Sequence, residues 1–244
     1  MVVDRIVETA LTDLIVLYRQ PILKLGKTRE EDRISHYEIL SRFNYNNQHQ
    51  MPWPWVQSLE EHGLCYLLDR RVVAMLSDYI KQSQDSSIYS VNVSAQTINL
   101  NGAFVDHVES LKLPRSIIFE ITESVVINLC KDVSEECSIH AMNSITHLSR
   151  EFTLAIDDFG IGAFRLSHLD SIKPKYVKID GSFTREIDKP TTVSDISAIS
   201  QIAHTRGCQV VLEWVETPEQ LEIARAIGID YVQGYGIAKP ELLL

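Results

Sequence analysis

Polar side chains that could bind metal ions or move a proton stand at the ends of several short apolar runs in this chain of 244 residues. A side chain at the end of a parallel barrel strand points toward a centre that it shares with its neighbours. Carboxylate and carboxamide oxygens suit Mg²⁺ or Mn²⁺, and a set without His or Cys argues against zinc or copper. In chain order, the residues are Glu38, Asn92, Glu120, Asp157 with Asp158, Lys178, Glu213 and Gln233.

These carboxylates would repel one another on a common axis unless a positive charge lay among them. The adjacent Asp157 and Asp158 could serve two metal ions. Two ions about 3.5–4 Å apart can generate hydroxide and stabilise the attacking and leaving oxygens of a phosphoryl group. Lys178 adds a fixed positive charge suited to a phosphate, and Glu213 could accept a proton from water as a general base. The residue types therefore favour metal-assisted chemistry at a phosphoryl group.

Each of these residues also has a structural interpretation. Asp158 could cap the following helix, and Asn92 could serve a turn. Lys178 could form an ion pair with Asp180 or Glu213. A barrel built for stability alone would fill its axis with Val, Ile and Leu, because buried carboxylates are costly. The set as a whole is therefore harder to explain structurally than any one of its members.

The elements that must position these residues alternate between short β-branched runs and longer segments of helical periodicity, which favours a parallel sheet. The whole chain, residues 1–244, is expected to form one α/β domain, a (β/α)8 TIM-like barrel. Eight strands are predicted near residues 14–19, 36–40, 90–93, 117–122, 153–157, 176–179, 209–213 and 231–233. Helices are predicted over 64–82, 95–111, 133–150, 193–205 and 218–227.

Strand periodicity predicts which side chains point to the barrel axis, since alternate residues share a face. Glu120 shares its face with Ile118, and Asp157 shares its face with Ala155. Both carboxylates can thus point inward while the residues between them face the covering helices.

Two connections carry further information. Residues 23–35 are too few for a crossover helix with its loops, and antiparallel neighbours need a shorter connection than parallel ones. We therefore expect the first strand to run antiparallel to the rest.

The run Met51-Pro52-Trp53-Pro54-Trp55 predicts a rigid loop packed over a surface groove, with the alternative that its tryptophans flank a base.

Composition limits the partners. A formal net charge of −10 argues against a surface for DNA or RNA duplexes, although an acidic protein can bind an anion through metal ions. We expect no membrane segment, because no apolar run approaches the ~18 residues that a span needs. The first residues do not resemble a signal peptide. The four cysteines lack metal-finger spacing, which indicates reduced thiols in a cytoplasmic protein.

Taken together and in order, the motifs resemble those of the EAL-domain cyclic di-GMP phosphodiesterases. The resemblance runs from about Tyr18 to Pro240, which is nearly the whole chain. The motifs that carry it are Glu38-Ile39-Leu40 with Arg42, Val91-Asn92-Val93-Ser94, Glu120-Ile121-Thr122-Glu123-Ser124, Ile156-Asp157-Asp158-Phe159-Gly160, Val177-Lys178-Ile179-Asp180, Glu213-Trp214-Val215-Glu216-Thr217 and Gln233-Gly234-Tyr235.

The resemblance implies a barrel with an antiparallel first strand that hydrolyses cyclic di-GMP to linear pGpG with two Mg²⁺ or Mn²⁺ ions per site. Lys178 resembles the lysine that orients the water, Glu213 resembles the catalytic base, and Glu123 resembles a residue that anchors the loop after the Asp pair. The positions that match metal ligands are Glu38, Asn92, Glu120 and Asp157, with Asp158 on the second metal. The positions that match substrate-binding or supporting residues are Gln20, Leu40, Arg42, Asp69 and Gln233.

Three departures from the family pattern are present. Ile39 replaces the Ala of the name motif, and Leu212-Glu213-Trp214 replaces Ala-Glu-Gly. Residues 161–165 read Ile-Gly-Ala-Phe-Arg where the family usually has Thr-Gly-Tyr-Ser-Ser, which removes the hydroxyl expected beside Glu123. In the family, that loop is linked to metal binding and dimerisation.

The altered loop motivates a second hypothesis, in which the chain is a catalytically weak or inactive receptor module for cyclic di-GMP. Two further hypotheses follow from the resemblance. One is a homodimer formed through residues 161–170. The other is that the chain is a domain excised from a larger multidomain signalling protein, with a stand-alone protein as the alternative.

Overall fold

A computed structural model of the protein describes residues 13–99, 102–122, 135–161 and 166–243, with only the backbone described at 135–139 and 166–168. The strands are β1 (Ile15–Lys24), β2 (Arg33–Tyr45), β3 (Gln48–Gln50), β4 (Tyr89–Val93), β5 (Ile118–Thr122), β6 (Thr153–Phe159), β7 (Tyr176–Ile179), β8 (Gln209–Leu212), β9 (Tyr231–Val232) and β10 (Glu241–Leu242). The helices are α1 (Trp53–Glu61), α2 (Cys65–Ser83), α3 (Ala95–Ile98), α4 (Ala103–Leu111), α5 (Glu135–Glu151), α6 (Leu166–Ile172), α7 (Gly181–Arg185), α8 (Pro190–Thr205) and α9 (Pro218–Ala226).

Eight strands close into a barrel in the order β1, β2, β4, β5, β6, β7, β8 and β9, with β9 pairing back to β1. Strand β1 is antiparallel to both of its barrel neighbours, whereas the other neighbouring pairs are parallel. The predicted TIM-like barrel and its antiparallel first strand are therefore confirmed. The short link between β1 and β2 contains a single 3-10 turn at Arg29–Glu31.

Several local predictions were wrong. The helix expected over 95–111 is two helices, and Gly102, which precedes α4, has a φ of +87° that a continuous helix would not allow. The expected loop at Met51–Trp55 contains the start of α1, because proline in a first turn removes no helical hydrogen bond. The hairpin strand β3 was missed. Its turn residues, Asn46 and Asn47, both have positive φ, as a type I′ hairpin requires.

The barrel wall separates two apolar regions. The outer core fills the space between the strands and the helices and contains Ile117, Phe119 and Ile121. The inner region, which we call the barrel floor, consists of Ile22, Ile118, Ala155, Tyr176, Val211 and Tyr231. The strand-parity prediction is confirmed, since Ile118 and Ala155 lie inside the barrel. None of the helices in the described ranges is long and apolar enough to cross a membrane.

A carboxylate fixes the connection between α2 and β4. Asp85 accepts hydrogen bonds from the Ser87 amide at 2.8 Å and the Tyr89 hydroxyl at 2.7 Å, and Tyr79 donates to it at 3.3 Å. The Ser87 amide, followed by the hydroxyl groups, lowers the pKa of Asp85 to about 2. Asp85 therefore stabilises the folded protein in its ionised form.

We predict that Asp85→Asn lowers the free energy of unfolding by about 1–2 kcal/mol at pH 7, because hydrogen bonds to a charged group are lost. The folded-state pKa lies below the unfolded value, so the contribution is present above about pH 4 and is lost as the pH falls toward 2. Urea unfolding at pH 7 and pH 3 measures the difference, with exposed Asp78→Asn as the control. A difference that does not shrink at pH 3 would contradict the prediction.

Candidate active site

A layer of polar side chains lies directly above the barrel floor. In β5 to β9, these residues come two positions after the floor residues, and in the reversed β1 they come two positions before, so strand alternation points them inward. In β2 and β4, they come two positions after the buried polar residues His36 and Ser90. Each of the eight barrel strands supplies one, within the strand or directly after it. We call this set the polar layer: Gln20, Glu38, Asn92, Glu120, Asp157, Lys178, Glu213 and Gln233.

Lys178 lies at the centre of the polar layer and is only 1% exposed. Its Nζ is 2.6 Å from Glu120 Oε2, 2.8 Å from Asp157 Oδ1, 2.8 Å from Glu213 Oε1 and 3.4 Å from Glu38 Oε2. Burial alone would lower the pKa of Lys178, but the surrounding carboxylates raise it well above its usual range. One buried ammonium group therefore serves four carboxyl groups.

Glu38 is the best supported of the four carboxylates. Gln233 donates to Glu38 Oε2 at 2.6 Å, and Asn92 donates to Oε1 at 2.8 Å. Burial opposes ionisation, but Lys178 and the two amides together lower the pKa of Glu38. Gln233 also lies 3.3 Å from Gln20 Oε1 across the closing strand pair. Glu38 is therefore held as a carboxylate by its own amide donors.

The other carboxyl groups are not fully neutralised by Lys178. Burial raises the pKa of Glu120 to about 8, and burial also raises the pKa of Glu213 well above its usual range. Burial and the adjacent Asp157 raise the pKa of Asp158 to about 6. Several carboxyl groups around a single cation cannot all ionise cheaply. The site is short of positive charge and suits additional cations.

A bulge in β6 turns two consecutive carboxylates toward the site. The pairing of β6 with β7 shifts between Ile156 and Phe159, and Asp158 has a φ of +54°. Without the bulge, Asp157 and Asp158 would point to opposite faces of the sheet. With it, oxygens of Asp157, Asp158 and Glu213 can all lie within 4.8 Å of one another.

The donor set fits hard divalent cations. Its atoms are carboxylate and amide oxygens, which Mg²⁺ and Mn²⁺ prefer. Asp157 Oδ1 is buried and receives no well-directed hydrogen bond from the described residues, although Lys178 Nζ is 2.8 Å away. This acceptor, together with Asp158 on the bulge, leaves ligand positions for metal ions.

The polar layer forms the base of a groove with two lobes. Leu40, Arg42, Pro52 and Asp157 line both lobes. The first lobe, of about 470 Å³, continues along Gln20, Arg185, Trp214, Glu216 and Tyr235. The second lobe, of about 670 Å³, continues along Trp53, Asp69, Asn92, Ser94, Asp158 and Ile161. A ligand that occupied both lobes would pass directly over the carboxylates.

The predicted substrate-binding residues Gln20, Leu40, Arg42 and Gln233 all line this groove. Asp69 is different. It lines the second lobe, but its carboxylate accepts hydrogen bonds from the Ser94 amide at 2.8 Å and from Thr97 Oγ1 at 2.6 Å, where α3 begins. The predicted loop anchor Glu123 and the loop residues 162–165 lie outside the described residues.

Sequence reasoning missed the residues that fix the backbone of Glu213 by hydrogen bonds. Thr184 Oγ1 donates to the Glu213 carbonyl at 2.5 Å, and the Glu213 amide donates to the Ile179 carbonyl at 3.2 Å. Thr184 is fully buried. Thr184 lies 29 residues before Glu213, with α8 between them, so it gives no local signal, and only the packing of α7 against the end of β8 reveals it.

Fold and site together define a TIM-like barrel protein. At the C-terminal ends of its parallel strands lies a cluster of carboxylates that could hold metal ions. The family model described as the EAL domain matches residues 4–240, and the chain belongs to this family.

Known relatives agree with this assignment. The Escherichia coli (strain K12) protein named probable cyclic di-GMP phosphodiesterase PdeA is 27% identical over 237 residues, which cover 94% of this chain and 31% of that protein. The PaMucR phosphodiesterase in complex with c-di-GMP has a TM-score of 0.82 at 23% identity and covers 96% of this chain and 95% of its own. The FimX EAL domain from Pseudomonas aeruginosa bound to c-di-GMP has a TM-score of 0.81 at 22% identity, with 97% and 95% covered.

The two solved structures show the same fold as this chain. The chain spans less than a third of the length of the curated relatives that it matches first.

We predict that Lys178→Met lowers the free energy of unfolding by about 3–5 kcal/mol at pH 8 in the presence of a chelator, because it leaves buried carboxylates without their cation. The loss shrinks at pH 6. Carboxyl groups with raised pKa values bind protons in the folded state, so their repulsion disappears as the pH falls. Urea unfolding at both pH values tests this, with exposed Lys175→Met as the control. Equal losses at pH 6 and pH 8 would refute it.

Proposed function

We propose that the chain hydrolyses cyclic di-GMP to linear pGpG with two Mg²⁺ or Mn²⁺ ions. The observation that carries this proposal is the polar layer, in which hard oxygen ligands and a central lysine form the base of a two-lobed groove. The names of the relatives, several of which are cyclic di-GMP phosphodiesterases, support the same substrate.

The first metal would be held by Glu38, Asn92, Glu120 and Asp157, and Asp158 would bind the second. When bound, the ions would supply Lewis-acid stabilisation of the phosphoryl oxygens. Positive charge at these positions would also favour the ionised forms of the buried carboxyl groups, including Glu213. Glu213 would then be available as a base.

Residues of the chain itself would accept the proton of the attacking water and bind the phosphate. Glu213 accepts a proton from the attacking water, and its backbone is held in place by Thr184 and Ile179. Lys178 orients that water, and Arg42 pairs with a phosphate oxygen. Linear pGpG keeps a 5′ phosphate, so the bond that breaks joins phosphorus to a ribose 3′ oxygen. This oxygen takes a proton from solvent and leaves as a hydroxyl group.

The shape of the groove supports a ligand with two bases. A cyclic dinucleotide carries one base on each side of its phosphodiester ring. Within the polar layer, the two lobes share Asp157 and otherwise have different lining residues. Each lobe would receive one base, and Leu40 and Pro52 would contact the ligand between them.

The cellular location, the domain context and the oligomeric state of the chain are also proposed. Cys65 and Cys208 are free thiols, in line with a cytoplasmic location. The greater length of the relatives supports a role as one module of a longer signalling protein. The predicted homodimer interface, residues 161–170, lies largely outside the described residues, and the homodimer stays a prediction. The altered loop that motivates the receptor hypothesis also lies largely outside them, and that hypothesis stays a prediction too.

We predict that the chain converts cyclic di-GMP to pGpG in Mg²⁺ or Mn²⁺ and that Glu213→Gln lowers kcat by about 10²–10⁴-fold, which is the usual contribution of a general base. The Kd for the nucleotide should change little, because Gln keeps the size of the side chain. Chromatography of the product measures turnover, and exposed Glu186→Gln is the matched control.

Wild-type protein that binds cyclic di-GMP but forms no pGpG would contradict the hydrolase and favour the receptor. Protein that binds no cyclic di-GMP would contradict both functions.

We predict that affinity for Mg²⁺ or Mn²⁺ rises from pH 6 to pH 8.5. The pKa of Glu120 is raised to about 8 and that of Asp158 to about 6, so protons compete with metal below these values. Calorimetry in buffers with different ionisation enthalpies counts the released protons, and Asp158→Asn should release fewer. Metal binding with the same affinity at both pH values and without proton release would show that these groups are not ligands.

A further inference from the structure

Trp214 adopts a backbone conformation that suits glycine. Its φ is +56°, in the left-handed region where a bulky residue is rare. It directly follows Glu213, the proposed base. A large aromatic residue at a conformation that a glycine would adopt without strain calls for an explanation in terms of what the indole does.

The backbone on both sides of Trp214 is fixed by hydrogen bonds. Thr184 donates to the carbonyl of Glu213, and the Val215 amide donates to the Gln233 carbonyl at 2.9 Å. These bonds hold the peptide groups that flank Trp214. The position of the Trp214 backbone, from which the indole extends, is therefore set by contacts that also position the base.

The indole packs against helix α7. A Cβ added at Gly181 would come within 2.1 Å of both Cγ and Cδ2 of Trp214, and the Arg185 guanidinium lies 4.1 Å from the centre of the indole. Gly181 and Arg185 are four residues apart and so share one side of the helix. Helix α7 thus packs against the indole through Gly181 and Arg185, and Trp214 and Arg185 both line the first lobe.

The indole is available to a ligand. Trp214 is 44% exposed, and Tyr235, which is 54% exposed, lines the same lobe. An aromatic surface held rigid beside a cavity binds a planar base at low entropic cost. Arg185, which lines the same lobe, adds a cation–π contact that fixes the ring further.

We infer that Trp214, packed against Gly181 and Arg185, is a stacking surface for one base of the cyclic dinucleotide and determines affinity at the first lobe. The inference rests on the proposed function. Trp214 contacts the base and not the reacting phosphate, so it acts on substrate binding more than on the chemical step.

The test compares Trp214→Gly, Trp214→Phe and Trp214→Leu. Glycine adopts a φ of +56° without strain, so Trp214→Gly is expected to fold. Calorimetry with cyclic di-GMP in Ca²⁺ should give a Kd about tenfold or more weaker for the Gly and Leu variants, whereas Phe should keep most of the affinity. In Mg²⁺, KM should rise by a similar factor while kcat changes little.

A second variant moves the indole without removing it. Gly181→Ala places a methyl group against the Trp214 ring and should weaken nucleotide binding in the wild-type background. In the Trp214→Gly background, the same change has no ring to displace and should have little effect. This non-additivity separates displacement of the indole from a general disturbance of α7.

The outcomes are distinguishable. Wild-type protein that binds no cyclic di-GMP would refute the proposed function. Wild-type binding with unchanged affinity in Trp214→Gly would refute the stacking role alone. Tighter binding in Trp214→Gly would identify the indole as an obstruction of the lobe, and equal losses for Phe and Leu would show that bulk matters and not the aromatic ring.

Discussion

The rest of the structure depends on a single buried ammonium group. Lys178 Nζ lies within 3.4 Å of oxygens from Glu38, Glu120, Asp157 and Glu213, in an interior that excludes water. Without this charge, the axis of the barrel could not hold four carboxyl groups. Since one positive charge cannot balance them all, the same arrangement that permits the cluster also leaves it receptive to metal ions.

Much of the site could be predicted because strand alternation and barrel closure are simple rules. Once Glu120 was placed on the same face as Ile118, the inward direction of its carboxylate followed, and the order of the motifs placed the remaining polar residues at the ends of successive strands. The structural alternative for Lys178 was half correct. Lys178 does pair with Glu213, whereas Asp180 accepts a hydrogen bond from Ser182 at 2.9 Å and caps α7.

The features that could not be predicted depend on contacts between distant parts of the chain. Nothing in the sequence near Trp214 indicates that its ring rests on Gly181, or that Thr184 holds the carbonyl of Glu213. The bulge that turns Asp158 inward leaves no mark on the periodicity of β6, because a run of seven residues is too short to show a shift. Asp158 and Trp214 both have left-handed backbones, so two strained residues flank the polar layer.

The reversed first strand has a geometric consequence for how the barrel connects to anything beyond it. In a barrel of parallel strands, the chain begins at the end remote from the catalytic groove. Here Ile15 pairs with Phe43 near the catalytic rim, and β10 returns to pair with Tyr18 and Arg19 on the same strand. The start of β1 and strand β10 therefore both lie on the part of β1 that precedes Gln20, and a mechanical pull on either one would act on the strand that closes the barrel next to the groove.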